Sequence, residues 1–312
     1  MIKRRAVFAV VALLAVVAAA CGSDDKKADN TTTTGRVPTF ASGTTMAKLQ
    51  AAGKIKVGTK FDQPGFGLRN PTTGKVEGFD VEIAKLIANR IFGPGGADKI
   101  EFVESISANR EPYIENGNVD IVAATYTIND ARKLRVDFAG PYFVAKQDIM
   151  VKKDDSSIKS VTDLGGKKVC TVKGSTSEKN LTAKAPTASV TLFGTYSECA
   201  AALTDGRVVA VTTDNTILAG LVQSSNDAFK LVGNPFSDEP YGIGLKKGDD
   251  AFRTFLNDSL EQIFENGDWA KAFTATLGKL GLTAPSPPTV NRYTAGSTAT
   301  TATTAASTTT AY

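Results

Sequence analysis

Thr125, Thr127 and Arg132 follow a strand-like stretch and together could hold a carboxylate. Residues 120–124 have the pattern of a buried strand, and the next eight residues have the pattern of a loop that opens a helix. Free backbone N–H groups at a helix N-terminus attract an anion, a threonine hydroxyl adds a donor, and arginine offers a bidentate fork. The alternative is a surface arginine paired with a neighbouring acid such as Asp130.

Five further polar residues lie where other predicted elements begin or end. Lys60 follows one predicted strand and Asp214 follows another, Arg110 precedes a short helix, and Ser175 and Thr176 open a helix with a capping-box pattern. Each side chain could contact a ligand in a cleft. The alternative for the charged residues is a solvated surface position, and for the two hydroxyls it is a cap on their own helix.

The composition of the 312 residues excludes several kinds of chemistry. There is no histidine, which removes the commonest general base and metal ligand and excludes a serine–histidine or cysteine–histidine nucleophile. Three of the 36 basic residues lie at the extreme N-terminus, which leaves 33 against 32 acidic residues. This near-neutral charge does not support binding to nucleic acid. The sequence also has no Gly-rich phosphate loop of the kind that ATP hydrolysis uses. We predict no catalytic residue, metal or cofactor.

The N-terminus has the pattern of an export signal. Basic residues 3–5 precede the apolar run 6–20, which is too short to cross a membrane as a helix. The run ends at Cys21 in a pattern similar to bacterial lipoprotein signals, although Ala18 stands where Leu, Val or Ile is usual. The alternative is a plain secretory signal with an incidental cysteine. We predict a signal peptide at 1–20, an acylated Cys21, a flexible tether at 21–46, and a location on the outer face of the cytoplasmic membrane.

Two other cysteines, Cys170 and Cys199, most simply form a disulfide in an exported protein, and the alternative is two buried free thiols.

Between about 47 and 282 strand-like and helix-like patterns alternate, which predicts an α/β fold with mostly parallel sheets. One helix should run to Ile91 with Asp80 as its N-cap. Residues 283–312 are rich in Thr, Ala, Ser and Pro and are predicted to be disordered.

The segment Gly78–Ile91 resembles the signature of the family 3 extracellular solute-binding proteins, the amino-acid receptors of ABC importers. Within this family the chain resembles the actinobacterial glutamate-binding lipoproteins in particular, which share the stretch Asp62–Gly65 and both body cysteines. Other landmarks of the family occur in the same order: Val119–Ile121, Thr125–Arg132, Val136–Tyr142, Val172–Thr176, Gly206–Asp214 and Gly267–Trp269.

The resemblance implies a monomeric two-lobe clamshell of the type II periplasmic-binding-protein fold. Lobe 1 would comprise 47–142 and 242–282, and lobe 2 would comprise 146–238. Two crossover strands near 143–145 and 239–241 would form the hinge. An amino acid would bind in the cleft and close the lobes, and the membrane permease would recognise the closed form.

The resemblance also implies a role for each candidate residue. Lys60 takes the place of an acid found in a glutamine receptor of the family, and Arg110 matches an arginine that meets the distal carboxylate in glutamate and aspartate receptors. The other matches are Thr127 and Arg132 with the α-carboxylate, Thr125 as a neighbouring contact, Asp214 with the α-ammonium, and Ser175 and Thr176 from lobe 2.

The positions at which relatives stack aromatic rings on the ligand hold Gln63 and Ser107 here. Either Phe61 or Phe66 substitutes, or the site relies on hydrogen bonds and charge. The expected function is a lipid-anchored receptor that delivers glutamate to an ABC importer. The alternatives are a receptor for glutamine or aspartate, a ligand-sensing protein, and a cyclohexadienyl-dehydratase-like enzyme, for which the chain offers no distinctive acid–base pair.

Overall fold

Twelve strands and nine α-helices occur in the part of the chain that the computed structural model describes, residues 37–226 and 228–293. The strands are β1 (Ile55–Thr59), β2 (Asp62–Gln63), β3 (Gly67–Arg69), β4 (Val76–Glu77), β5 (Ile100–Glu104), β6 (Ile121–Val122), β7 (Val136–Lys152), β8 (Lys168–Val172), β9 (Ser189–Phe193), β10 (Ala210–Asp214), β11 (Phe229–Leu231) and β12 (Ser237–Lys246). The helices are α1 (Thr45–Ala52), α2 (Phe79–Phe92), α3 (Arg110–Glu115), α4 (Asp130–Lys133), α5 (Thr176–Lys184), α6 (Tyr196–Thr204), α7 (Asn215–Ser224), α8 (Asp250–Glu265) and α9 (Asp268–Ala275).

The main sheet has the order β5-β1-β6-β12-β7-β10-β8-β9, with β11 paired to β7. The strands β5, β1 and β6 are parallel at one end of the sheet, and β10, β8 and β9 are parallel at the other. Between them β7 and β12 pair antiparallel, from Ser237 opposite Gln147 to Lys246 opposite Val136. The two long strands therefore connect the two groups of parallel strands, one in each lobe.

Helix α2 shows one correct and one wrong expectation. Its apolar face is buried as the periodicity predicts, and Ile83 and Ile87 have no exposed surface. The prediction that Asp80 caps this helix is wrong, because the N-cap is Gly78 at φ 133°, a conformation that favours glycine. Asp80 is consequently the second helical residue, and its carboxylate reaches away from the helix.

The predicted disulfide is present and joins β8 to α6. The Cα atoms of Cys170 and Cys199 are 5.5 Å apart, and both residues are fully buried. The covalent link therefore fixes α6 against the sheet of the second lobe.

Both ends of the described chain pack on the body more extensively than the composition suggests. The ring of Phe40 lies edge-on to Phe255 at 5.3 Å, although it falls in the predicted tether. Tyr293, in the predicted tail, accepts a hydrogen bond from Phe138 N at 2.8 Å, and its carbonyl accepts one from Arg253 at 2.9 Å. Aromatic rings bury enough surface to hold such segments. The predicted signal peptide, Cys21 and residues 294–312 lie outside the described residues.

None of the helices in the described ranges combines the length and the apolar character that crossing a membrane requires.

Candidate functional site

Arg132 lies in α4, the short helix that follows the loop predicted to hold an anion. The residue is buried, and Nη1 donates to Thr127 O at 2.7 Å. Nε donates to Glu111 Oε1 at 3.1 Å, so the acid beside it is Glu111 and not Asp130. Nη2 donates to Gly174 O at 3.3 Å, which connects the loop before α4 to the loop before α5.

Arg110 is also buried and is held by backbone carbonyls. Its Nη1 donates to Ala124 O at 3.1 Å and to Thr125 O at 3.0 Å, and its Nε donates to Ser107 O at 3.4 Å. Thr125 has φ 45°, an uncommon conformation for a β-branched residue. The guanidinium therefore rests on a strained turn directly after β6.

The ring of Tyr126 lies against both arginines. Its centroid is 4.4 Å from Arg110 Cζ and 4.9 Å from Arg132 Cζ, so the ring stabilises both cations. Burial, together with the charge of Arg110, lowers the pKa of Arg132 to about 10. Burial works to raise the pKa of Glu111, but the two arginines outweigh it and the pKa lies below its ordinary value.

Lys60 adds a third cation to this region. The residue is 3% exposed, and Nζ donates to Ser107 Oγ at 3.0 Å. Burial, and secondarily the charge of Arg110, lowers the pKa of Lys60 to about 7. Within the described ranges neither Lys60 nor Arg110 forms an ion pair with an acid. Two buried cations that form no ion pair are costly in a folded protein, and an anionic ligand would offset that cost.

Asp214 is the last residue of β10 and provides a negative group. Its Oδ2 accepts a hydrogen bond from the hydroxyl of Tyr241. Its Oδ1 is buried and has no partner among the residues that the structure describes. Burial, and secondarily the charge of Glu239, raises the pKa of Asp214 to about 7. The arrangement leaves an acceptor that an ammonium group would satisfy.

Glu239, on β12, is a functional candidate that the sequence analysis names only as part of the hinge. Its Oε2 accepts hydrogen bonds from Thr127 Oγ1 and Thr176 Oγ1, each at 2.7 Å, and its Oε1 accepts from Ser237 Oγ at 2.7 Å and Asn180 Nδ2 at 2.9 Å. A hydroxyl has one hydrogen, so both threonines retain only lone pairs for a ligand. The Thr127 hydroxyl donates to Glu239 in this arrangement, and its predicted contact with the α-carboxylate of a ligand stays a prediction.

The predicted residues lie around two neighbouring cavities. The larger has a volume of about 320 Å³ and is lined by Thr127, Thr176 and Glu239, among others. Lys60 and Arg132 line neither cavity, but each donates to a residue that does. The smaller cavity is lined by five of the predicted residues: Arg110, Thr125, Ser175, Thr176 and Asp214. Its other lining residues are Ser107, Ser177, Tyr196, Thr213 and Ile217. The structure thus brings all eight predicted residues to one region, and their roles in binding stay predictions.

Hydroxyls and one aromatic ring complete the smaller cavity. Ser175 lines it but also caps α5, because its Oγ accepts from Glu178 N at 3.0 Å. Phe66 belongs to the core, the ring of Phe61 lies 4.2 Å from Arg69 Cζ, and neither ring lines either of these two cavities. The ring in the wall is Tyr196, at the start of α6, which no sequence pattern singled out.

Comparison with known proteins gives consistent results. A family model, the bacterial extracellular solute-binding proteins of family 3, matches residues 55–279. The chain is 46% identical over 230 residues to the ABC transporter glutamine-binding protein GlnH of Bacillus subtilis (strain 168), covering 73% of this chain and 83% of the relative. It is 43% identical over 235 residues to the glutamate-binding protein GluB of Corynebacterium glutamicum, covering 73% and 79%.

Solved structures resemble the fold over the same region. An ancestral arginine-binding protein bound to glutamine has a TM-score of 0.67 and 40% sequence identity, with 72% of this chain and 98% of that chain covered. These matches confirm the predicted two-lobe α/β fold of the type II periplasmic-binding-protein class. The relatives named differ in whether glutamine or glutamate is bound, so they leave the ligand's side chain open.

Proposed function

Since the chain belongs to the bacterial extracellular solute-binding proteins of family 3, we propose that it is the amino-acid receptor of an ABC importer and that its preferred ligand is glutamate. The lobes would be 47–142 with 242–282, and 146–238, as expected from the sequence. Closure of these lobes around the amino acid would create the form that the permease accepts.

The observation that carries the choice of glutamate is the pair of buried cations Lys60 and Arg110. Both interact with Ser107, and neither has an acid partner in the described ranges. Glutamine has almost the same shape as glutamate, so packing alone cannot discriminate between them. A distal carboxylate would neutralise the cations, whereas the amide NH₂ of glutamine would direct its donors at theirs. Glutamine and aspartate are the alternative ligands.

The α-groups of the ligand would meet the remaining charges. Asp214 Oδ1 would accept from the α-ammonium, and the Thr127 and Thr176 hydroxyls could accept alongside it. Arg132 would bind the α-carboxylate by exchanging its contact to Gly174 O for the ligand. These contacts are common to all amino acids and set affinity, not side-chain choice.

The deciding experiment is calorimetry of the mature domain with glutamate, glutamine and aspartate, on the wild type, Arg110→Met and Lys60→Met. We expect tighter binding of glutamate than of glutamine by the wild type. The preference should shrink by roughly tenfold or more in Arg110→Met, by the free energy of one charged hydrogen bond, and less in Lys60→Met. A wild type that prefers glutamine, or an unchanged ratio in Arg110→Met, would contradict the choice of glutamate.

We further propose that acylation of Cys21 anchors the mature protein to the membrane. The basic start and the apolar run before Cys21 support this assignment. Cys21→Ala should release the protein from the membrane fraction into the medium. Retention of that variant in the membrane fraction would exclude the lipid anchor.

A further inference from the structure

Asp80 is a buried carboxylate that lies behind the cations Lys60 and Arg110. The residue has no exposed surface, and although it is in the first turn of α2, it does not cap that helix. Its Oδ1 accepts a hydrogen bond from the Tyr142 hydroxyl at 2.6 Å, and its Oδ2 accepts one from Thr125 N at 2.8 Å. Its carboxylate is therefore directed at the strained turn on which Arg110 rests.

Every polar group of Thr125 has a partner. The amide donates to Asp80, Oγ1 donates to Gln63 Oε1 at 3.0 Å, and the carbonyl accepts from Arg110 at 3.0 Å. A threonine with φ 45° persists only where its surroundings hold it, because the free chain would leave this conformation. The amide of Thr125 has no other hydrogen-bond acceptor among the described residues, so the hydrogen bond to Asp80 is what holds this amide in place.

The turn at Thr125 positions the side chain of Arg110. Nη1 of Arg110 donates to the adjacent carbonyls of Ala124 and Thr125, and both Arg110 and Thr125 line the smaller cavity. For Nη2 no acceptor is found among the described residues. A rotation of the Thr125 peptide would therefore move the guanidinium relative to anything bound in this cavity.

We propose that Asp80 is a positioning residue for ligand specificity: it holds the Thr125 peptide, and thereby the guanidinium of Arg110, where the distal group of the ligand is recognised. The inference rests on the proposed function for the identity of that distal group, a carboxylate. Asp80 lines neither cavity, and each of its oxygens already accepts a hydrogen bond from the protein, which favours a positioning role over ligand contact.

A purely electrostatic role for Asp80 makes the opposite prediction. Removing its negative charge would make the surroundings of Lys60 and Arg110 more positive and strengthen the attraction for a carboxylate. Asp80→Ala and Asp80→Asn remove the same charge, but the asparagine retains an acceptor for Thr125 N. Their difference therefore isolates the hydrogen bond from the charge.

The test measures Kd for glutamate and glutamine by calorimetry, with Tm, for the wild type, Asp80→Ala, Asp80→Asn and the matched control Asp137→Ala. Asp137 is equally buried and also accepts from a backbone N–H (Gly248, 2.7 Å) and from a tyrosine hydroxyl (Tyr293, 3.2 Å), but it lines neither cavity. It therefore controls for the loss of a buried, hydrogen-bonded carboxylate.

We expect Asp80→Ala to lower the glutamate-to-glutamine preference by about tenfold relative to Asp80→Asn, a change equivalent to one lost hydrogen bond. Asp137→Ala should lower Tm and leave the preference unchanged. Equal preferences in the two Asp80 variants, or an equal loss in Asp137→Ala, would overturn the inference. If Asp80→Ala does not fold, Asp80→Asn decides: it keeps an acceptor for Thr125 N, so the preference should be retained, and a tenfold loss would overturn the inference.

The proposed function is tested separately, by the affinities of the wild type for glutamate and glutamine. If the wild type prefers glutamine, the proposed substrate is wrong. The positioning role then applies to whichever ligand loses affinity in Arg110→Met, and it fails if Asp80→Ala does not weaken that ligand more than Asp80→Asn does.

Discussion

The hydroxyl of Tyr241 donates to one oxygen of Asp214 and leaves the other oxygen as a buried acceptor with no partner in the described part of the chain. The two residues come from β12 and β10, which both pair with β7. Tyr241 thus determines which oxygen of the carboxylate is available to a ligand.

The first prediction concerns this carboxylate. Asp214→Asn should weaken glutamate and glutamine together, since it removes the charge that faces the α-ammonium. Losing one partner of a buried charge pair costs ~2–5 kcal/mol, so Kd should rise by roughly thirtyfold or more. Tyr241→Phe should have a smaller effect in the same direction. Calorimetry with both amino acids is the measurement, and a rise in Kd below about threefold for Asp214→Asn would show that it does not hold the ligand.

The second prediction concerns Arg132. Arg132→Lys keeps the charge but cannot reproduce the bidentate fork, so both amino acids should bind more weakly by roughly tenfold or more. Arg135→Ala is the control, because that arginine is exposed and pairs with Glu115 at the surface. Loss of affinity for only one of the two amino acids would contradict a contact with the shared α-carboxylate.

The third prediction concerns pH. Asp214, with a pKa of about 7, must be ionised to accept the α-ammonium, so affinity for every amino acid should fall as pH drops below about 7. Lys60, also with a pKa of about 7, must be protonated to meet a distal carboxylate, so glutamate affinity should fall as pH rises above about 7. The loss of affinity at low pH is the same for both amino acids, so it cancels in the ratio of glutamate affinity to glutamine affinity. This ratio should therefore decline as pH rises above neutrality.

Lys60→Met separates the sources of this decline. Asp80 also has a pKa raised to about 7 by burial, and its ionisation beside the cations would lower the ratio in the same pH range. If the decline persists in Lys60→Met, Asp80 is its source. If it disappears, Lys60 is.

The fourth prediction concerns Glu239, whose carboxylate joins Thr127 to Thr176 and Asn180. Glu239→Gln keeps the shape but turns an NH₂ toward donors, so the arrangement that joins Thr127 to Thr176 should lose about 1–3 kcal/mol. Affinity for glutamate and glutamine should fall by the same factor, and small-angle scattering should detect a more open protein. Asp148→Asn is the control, since Asp148 is buried, accepts hydrogen bonds from the backbone N–H groups of Ile149 and Gly233, and lines neither cavity. A change in the ligand ratio would contradict this role.

The fifth prediction concerns the disulfide. Its residues are separated by 29 positions, and closing such a loop stabilises a fold by ~3–4 kcal/mol in the chain-entropy model. Reduction should lower Tm while leaving ligand binding measurable, because neither cysteine lines a cavity. Rapid alkylation of both thiols in the unreduced native protein would contradict the pairing.

The sequence predicts the site where the chain itself brings the residues together. The loop from Thr125 to Arg132 is local, and the disulfide needed only two cysteines in an exported chain. Asp214 was expected just after a strand, and in the structure it is the last residue of that strand. The pattern also predicted the helix that runs to Ile91, and the apolar face of this helix is buried.

Long-range contacts could not be predicted in this way. The glutamate at 239 is one acid among 32, and its four donors lie 112, 63, 59 and 2 residues away along the chain. Asp80 was misassigned because an acid near a helix start usually caps it, whereas Gly78 begins the helix and frees the carboxylate. Tyr293 lies in a stretch whose composition predicts disorder, yet its hydroxyl accepts from Phe138 N and the neighbouring Arg292 forms ion pairs with Asp258 and Glu261.

The paired strands β7 and β12 limit how the length of this chain can vary. Side chains alternate along a strand, so an inserted residue in β12 would exchange the faces of everything beyond it. Glu239 and Tyr241 lie two positions apart on that strand and are both buried, so one insertion upstream of them would displace both. An insertion in a surface loop would leave both side chains in place, whereas an insertion at the start of β12 would not.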